Sequence, residues 1–166
     1  MNQLAVMEPS TSVMEQSTGL ATTLEAASEQ FVTFRVDQQL FGVSVLRVQD
    51  ILNTEDIAFV PMAPPEVKGS INLRGRIVTV IDVRVRLGLP PKEGEENHMG
   101  VTVEQLTELY TLCVDEIGEV LSLPTRDKEE VPGTLDAKWR NFAEYIYQLD
   151  EELMIVLDVD TLLRQS

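Results

Sequence analysis

Two alternating sets of positions mark where the first ordered stretch of the chain begins. In "FVTFRVDQQLFGV", residues 31–43, Phe31, Thr33 and Arg35 alternate with Val32, Phe34 and Val36. Aromatic and β-branched residues dominate, and Asp37-Gln38-Gln39 supplies a polar turn before Leu40-Phe41-Gly42-Val43. This pattern predicts a β-hairpin. A second hairpin is expected near the end, where "AEYIYQL" and "LMIVL" flank the turn Asp150-Glu151-Glu152. Between the two lie short apolar runs punctuated by Pro and Gly, without long helical periodicity, so the core is expected to be mainly β. Residues 1–29 lack aromatics and are rich in Ser and Thr. They read as a flexible N-terminal tail, with a short helical turn near Leu20–Ala27, ahead of one ordered domain over 30–166.

The apolar runs repeat. "FGVSVLRVQDIL" (41–52) aligns with "YTLCVDEIGEVL" (110–121): Phe41 meets Tyr110, Val45 meets Val114, Asp50 meets Glu119 and Leu52 meets Leu121. Further on, "IVTVIDVRVRL" (77–87) aligns with "LMIVLDVDTLL" (153–163), so that Val80-Ile81-Asp82-Val83 meets Val156-Leu157-Asp158-Val159. The offset is 69 residues in the first block and 76 in the second, which asks only for a longer loop in the second half. Two β-rich halves predict two small barrels side by side, each closing off its strand edges. Asp82 and Asp158 each end a strand and are expected to cap a short helix, with Gly88 and Pro90 stopping the first one.

The chain has 13 Lys and Arg against 28 Asp and Glu, a formal net charge of −15. That charge repels nucleic acid and anionic membrane surfaces and argues against both as partners. No run approaches the roughly 18 apolar residues of a membrane span, so no direct membrane insertion is expected. The N-terminus lacks the basic start of a secretory signal, with no Lys or Arg before Arg35. One cysteine, Cys113, leaves no internal disulfide, and a cytoplasmic location is expected.

Catalytic chemistry finds little support. Cys113 sits in the apolar strand "LYTLCVDEI" and His98 in the polar stretch "EGEENHMG", so a core cysteine and a solvated histidine explain both better than a Cys/His hydrolase does. No ligand spacing of a metal site and no glycine set of a nucleotide loop is present, so neither metal nor cofactor is expected. The paired acids Asp115-Glu116 and Asp150–Glu152 read as solvated faces.

Four of the 13 basic residues fall in "INLRGRIVTVIDVRVRLGLP", residues 71–90. Gly69, Asn72-Leu73-Arg74-Gly75, the apolar strand Ile77–Ile81 and Asp82-Val83 together resemble the signature of the CheW-like domain. "FGVSVLRVQDIL", "TLCVDEIGEVLSLP" and "ELMIVLDVDTLL" resemble its other blocks, so the resemblance covers residues 31–163. It implies two SH3-like five-stranded barrels around a shared core, with short helices. It also implies a non-enzymatic adaptor of bacterial chemotaxis, bridging the cytoplasmic hairpin tip of a chemoreceptor to the regulatory CheW-like domain of a CheA-type histidine kinase. The receptor contact then lies in the groove between the barrels and the kinase contact at barrel ends. A coupling protein of a neighbouring pathway, such as surface motility or biofilm signalling, fits the same residues. Carried over position by position, the resemblance implies partner-binding roles for Val48, Asp50, Gly69, Asn72 and Arg74, with Asp50 and Arg74 paired. Gly75 is expected to permit a tight turn. Gly69 fits either a positive φ or a close approach by a partner helix. Ile77, Val78, Val80 and Ile81 are expected in the core, and Arg84 and Arg86 in solvent.

Overall fold

Asp37 and Gln38 both have positive φ, 52° and 71°, and turn β1 (Ser28–Val36) into β2 (Gln39–Ser44). Two successive left-handed residues mark a type I′ turn, whose twist matches that of the strands it joins. The same device recurs twice. Arg74-Gly75 joins β4 (Val67–Leu73) to β5 (Arg76–Asp82), and Leu106-Thr107 joins β6 (His98–Gln105) to β7 (Glu108–Val114). The remaining strands are β3 (Val48–Thr54), β8 (Glu116–Pro124), β9 (Ala143–Gln148) and β10 (Leu153–Leu157). Three short helices follow strands or connections: α1 (Val83–Arg86), α2 (Ala137–Arg140) and α3 (Val159–Arg164). The computed structural model describes residues 27–54, 56–91 and 98–164. Nearly all of the expected tail, with its helical turn, lies outside them. β1 already begins at Ser28, because Ser28–Gln30 pair with Ser122–Pro124 of β8. His98, expected in a loop, is the first residue of β6 and pairs with Thr54.

The strands form two five-stranded sheets, ordered β8-β1-β2-β10-β9 and β3-β6-β7-β5-β4. Both repeat offsets found in the sequence hold in the ladders. The parallel pair Phe41↔Ile155 corresponds to Tyr110↔Thr79, and Leu52↔Gly100 corresponds to Leu121↔Phe31. Even the bulges coincide: one between Val67 and Gly69 is matched by one between Leu157 and Val156, opposite Ala143 and Tyr145. One feature differs from the expectation of one barrel per half. Each sheet combines the first two strands of one repeat with the last three of the other: β1 and β2 with β8–β10, and β6 and β7 with β3–β5. Nor does the pairing close either sheet; β8 and β9, and β3 and β4, remain edges. Single bridges from the connecting segments, Ala58↔Ser70 and Glu129↔Ile146, cover β4 and β9. The fold is mainly β, two SH3-like subdomains rather than closed barrels.

Three apolar clusters hold these layers together. The largest lies between the sheets and unites Phe34, Phe41 and Ile155 of one with Ile81, Val101 and Leu112 of the other. Each sheet also curls around its own interior, Phe31, Tyr147 and Met154 in the first and Ile71, Val78, Val80 and Cys113 in the second. Each such side chain taken out of water stabilises the fold by roughly 1.5–3 kcal/mol. The two aspartates cap as expected. Asp82 Oδ1 accepts from the N–H groups of Arg84 (3.0 Å) and Val85 (3.4 Å), and Asp158 Oδ1 from that of Thr161 (3.1 Å). Gly88, at φ 87°, ends α1.

Two expectations about residues 77–86 are corrected. Ile77 is 73% exposed, while Val78, Val80 and Ile81 are buried. Alternation places Ile77, Thr79 and Ile81 on one face, but only the Ile81 end is covered by the opposing sheet. Arg84 and Arg86 are not solvated. Arg84 Nη1 donates to Asp115 Oδ2 at 2.7 Å and its Nε to the Pro90 carbonyl at 2.9 Å. Arg86 Nε donates to the Leu162 carbonyl at 2.9 Å, with its guanidinium over the Phe142 ring. Asp115, expected on a solvated face, is thereby half-buried. These partners lie far along the chain, where no local pattern announces them.

Candidate partner-binding site

Asn72 and Gly75 build the turn that presents Arg74. The Asn72 Oδ1 accepts from the Gly75 N–H at 2.9 Å, and Gly75 takes φ 87° without a side chain to clash. Arg74 itself holds φ 53° and stays 75% exposed at the side chain. Its Nη2 lies 3.0 Å from Asp50 Oδ2. Asp50 follows a bulge in β3, where Val48 pairs with Val103 but Asp50 with Thr102, and its Oδ1 accepts from the Ile51 N–H at 2.9 Å. The expected pair therefore forms. Val48 is half-buried and packs against the shared core.

Gly69 plays a different part. It is buried at φ 153°, and a Cβ there would lie 2.3 Å from the Ala58 carbonyl oxygen. The close approach that demands glycine is made by the chain's own residues 57–58. Gly69 seats the β3–β4 connection, while Asp50, Asn72 and Arg74 lie at the surface.

A cavity of about 430 Å³ opens between the second sheet and α3. Val67, Thr79, Ile81, Tyr110, Leu162 and Leu163 line it. Ile77 and Leu106, both exposed, stand at the same end of the sheet as Arg74 and Asp50, because β5 and β7 start there and β6 ends there. The repeat explains why this face is open. In the first sheet the corresponding face, Phe41 and Ile155, is covered by Trp139, whose ring meets Phe41 edge-on at 5.5 Å. Four residues ahead of β9 stands Trp139; four ahead of β4 stands Ala63. At the position equivalent to the Trp139 indole, the first repeat thus carries only a methyl.

Ile77, Leu106, Tyr110 and Leu163 escaped the sequence reading. Signals existed: a leucine in a two-residue turn that favours Asn and Gly, and alanine opposite tryptophan in the aligned halves.

The sequence profile of the CheW-like domain matches residues 30–166. The chain belongs to the CheW-like domain family. Among its relatives, "Chemotaxis protein CheW" of Rhizobium meliloti is 26% identical, over 87% of this chain and 93% of that protein. The protein of the same name from Klebsiella aerogenes is 28% identical, over 87% and 90%. The crystal structure of the scaffolding protein TtCheW from Thermoanaerobacter tengcongensis superposes with a TM-score of 0.75 at 27% identity, covering 84% of this chain and 95% of that one. Within this CheW-like domain, the short Asp50 side chain reaches the Arg74 guanidinium directly, at 3.0 Å.

The chemistry of Cys113 points away from catalysis. Burial is the main cause that pushes its thiol up to about 12, with Asp82 and Asp115 adding to the shift against Lys68. A nucleophilic cysteine needs the opposite shift. Among the described residues, no group of His, Cys, Asp and Glu is placed to hold a metal, and no helix is long and apolar enough to cross a membrane.

Proposed function

We propose that this protein is a non-enzymatic adaptor of chemotaxis signalling. It joins a chemoreceptor's cytoplasmic hairpin tip to the regulatory CheW-like domain of a CheA-type histidine kinase, and so works in the cytoplasm at receptor arrays. The observation that carries the reading is the coincidence, at one end of the second sheet, of an open apolar groove and the Asp50–Arg74 pair. A helix with apolar residues spaced along one face fits such a groove, while exposed charges beside it fix orientation. Val48 and Asn72 support that surface and Gly69 shapes it from below. The names of the relatives, chemotaxis proteins and a scaffold, agree with this role. Signalling contacts of this size are small and modest in affinity, which suits a reversible bridge.

Calorimetric titration against a receptor hairpin-tip peptide and, separately, against the kinase's regulatory domain tests it. Binding to both, with the receptor contact weakened in Arg74→Ala, is the expected result. Absence of binding to both, by a protein that melts cooperatively, overturns it.

A further inference from the structure

Among the described strands the chain changes sheet only twice, from β2 to β3 and from β7 to β8. Each crossing carries one charged residue, and each of these is held by a helix at the groove. On the first crossing, Arg47 Nη2 lies 2.9 Å from Asp160 Oδ1 of α3, and Gln105 Nε2 donates to the Asp160 carbonyl at 3.2 Å. On the second, Asp115 Oδ2 takes Arg84 Nη1 of α1 at 2.7 Å and the Asp37 N–H at 2.8 Å. Arg84 and Asp160 are equivalent positions in the two repeats, 76 residues apart, with the polarity of the pair reversed.

These helices are also walls of the groove. α3 contributes Leu162 and Leu163, and α1 contributes Arg86, which donates to the Leu162 carbonyl and so joins the two walls. The Arg84–Asp115 pair is the firmer anchor: its side chains are 16% and 14% exposed, against 35% and 53% for Arg47–Asp160. Arg84 further grips the Pro90 carbonyl, and Asp115 the β1–β2 turn, so one node touches both sheets.

We infer that Arg84–Asp115, seconded by Arg47–Asp160, is a positioning pair that fixes the two sheets relative to each other and thereby sets the width of the partner groove. Neither pair touches the partner. The part about partner affinity rests on the function proposed above; the part about sheet geometry does not.

The test places spin labels on Asn53→Cys in β3 and Glu119→Cys in β8, both at exposed positions in different sheets, with the buried Cys113 left unlabelled. Removing charge by Arg84→Gln, alone and with Asp160→Asn, is expected to shift and broaden the inter-sheet distance distribution. Arg84→Lys, which keeps the charge, is expected to restore most of it. In parallel, hairpin-tip affinity should fall by about 2- to 30-fold in Arg84→Gln, the range for residues that act on a site through packed neighbours. A distance distribution in the folded double variant as narrow and centred as in the unsubstituted protein overturns the inference. So does a shifted distribution with unchanged hairpin-tip affinity. Should the variants carrying Arg84→Gln fail to melt cooperatively, the distances in Asp160→Asn alone decide by the same criterion. If the unsubstituted protein binds no hairpin tip, the proposed function fails while the distances still decide whether the pairs position the sheets.

Discussion

Arg74 Nη2 and Asp50 Oδ2 lie 3.0 Å apart although they belong to opposite margins of one five-stranded sheet. Asp50 is on edge strand β3 and Arg74 in the turn that follows edge strand β4. The pair therefore spans the seam where backbone pairing stops, at the end where the groove opens. An exposed ion pair is worth only about 0–1 kcal/mol, so it adds little stability of its own.

Arg74→Ala is expected to change unfolding free energy by no more than about 1 kcal/mol, read by urea denaturation, while weakening hairpin-tip binding. Asp50→Glu should preserve both. A large loss of stability in Arg74→Ala would make the arginine a structural clasp and nothing more.

Ile77→Glu and Leu106→Glu alter side chains already in water, so each should shift stability by about 0.5 kcal/mol or less. Titration with the hairpin tip should show about a tenfold loss of affinity for each, if the apolar rim contributes as interface side chains commonly do. Full affinity in both would move the receptor contact away from this groove.

Trp139→Ala should cost about 3–5 kcal/mol, because it empties the covered face that Phe41 shares. Circular dichroism melts of this variant against Phe59→Ala, an exposed ring, separate the loss of core from the loss of an aromatic.

Gly69→Ala should destabilise by about 1–3 kcal/mol, since it strains φ and drives a methyl into the Ala58 carbonyl. Gly75→Ala, with open space around it and only an unfavourable φ, should cost less by the same denaturation assay.

Cys113 gives the pH dependence. Its thiol ionises near 12 in the fold, against 9.0 when free, so the folded state keeps a proton that the unfolded chain gives up. Stability from this group is fully present below pH 9 and is lost as pH rises toward 12. Iodoacetamide at pH 8 should leave the native thiol intact and modify it in denaturant. Rapid native alkylation would contradict the buried geometry.

How much of this was readable in advance depended on the range of the interaction. Turns, caps and strand identities follow from residues within a few positions of one another, and Asp37-Gln38, Asp82 and Asp158 behave as their local pattern indicates. The duplication was legible because the matched runs carry register: offsets of 69 and 76 residues reappear in the ladders, bulges included. Illegible were the features fixed by distant partners. Alternation assigns Ile77 to a face but not to a covered part of it. Arg84 looks like a surface arginine until Asp115, 31 residues on, is folded against it. Which repeat supplies which strands also escapes, since β1 fits an edge from either half equally well by pattern.

That last feature bears on history. Because each sheet draws two strands from one repeat and three from the other, neither repeat contains a complete sheet. A single-repeat ancestor could have satisfied its strands only by trading them with a second copy, as intertwined twins. Fusion of two such copies into one gene would make the exchange permanent and free the copies from having to be identical. One could then place tryptophan over its own face while the other, with alanine at that position, kept an open groove.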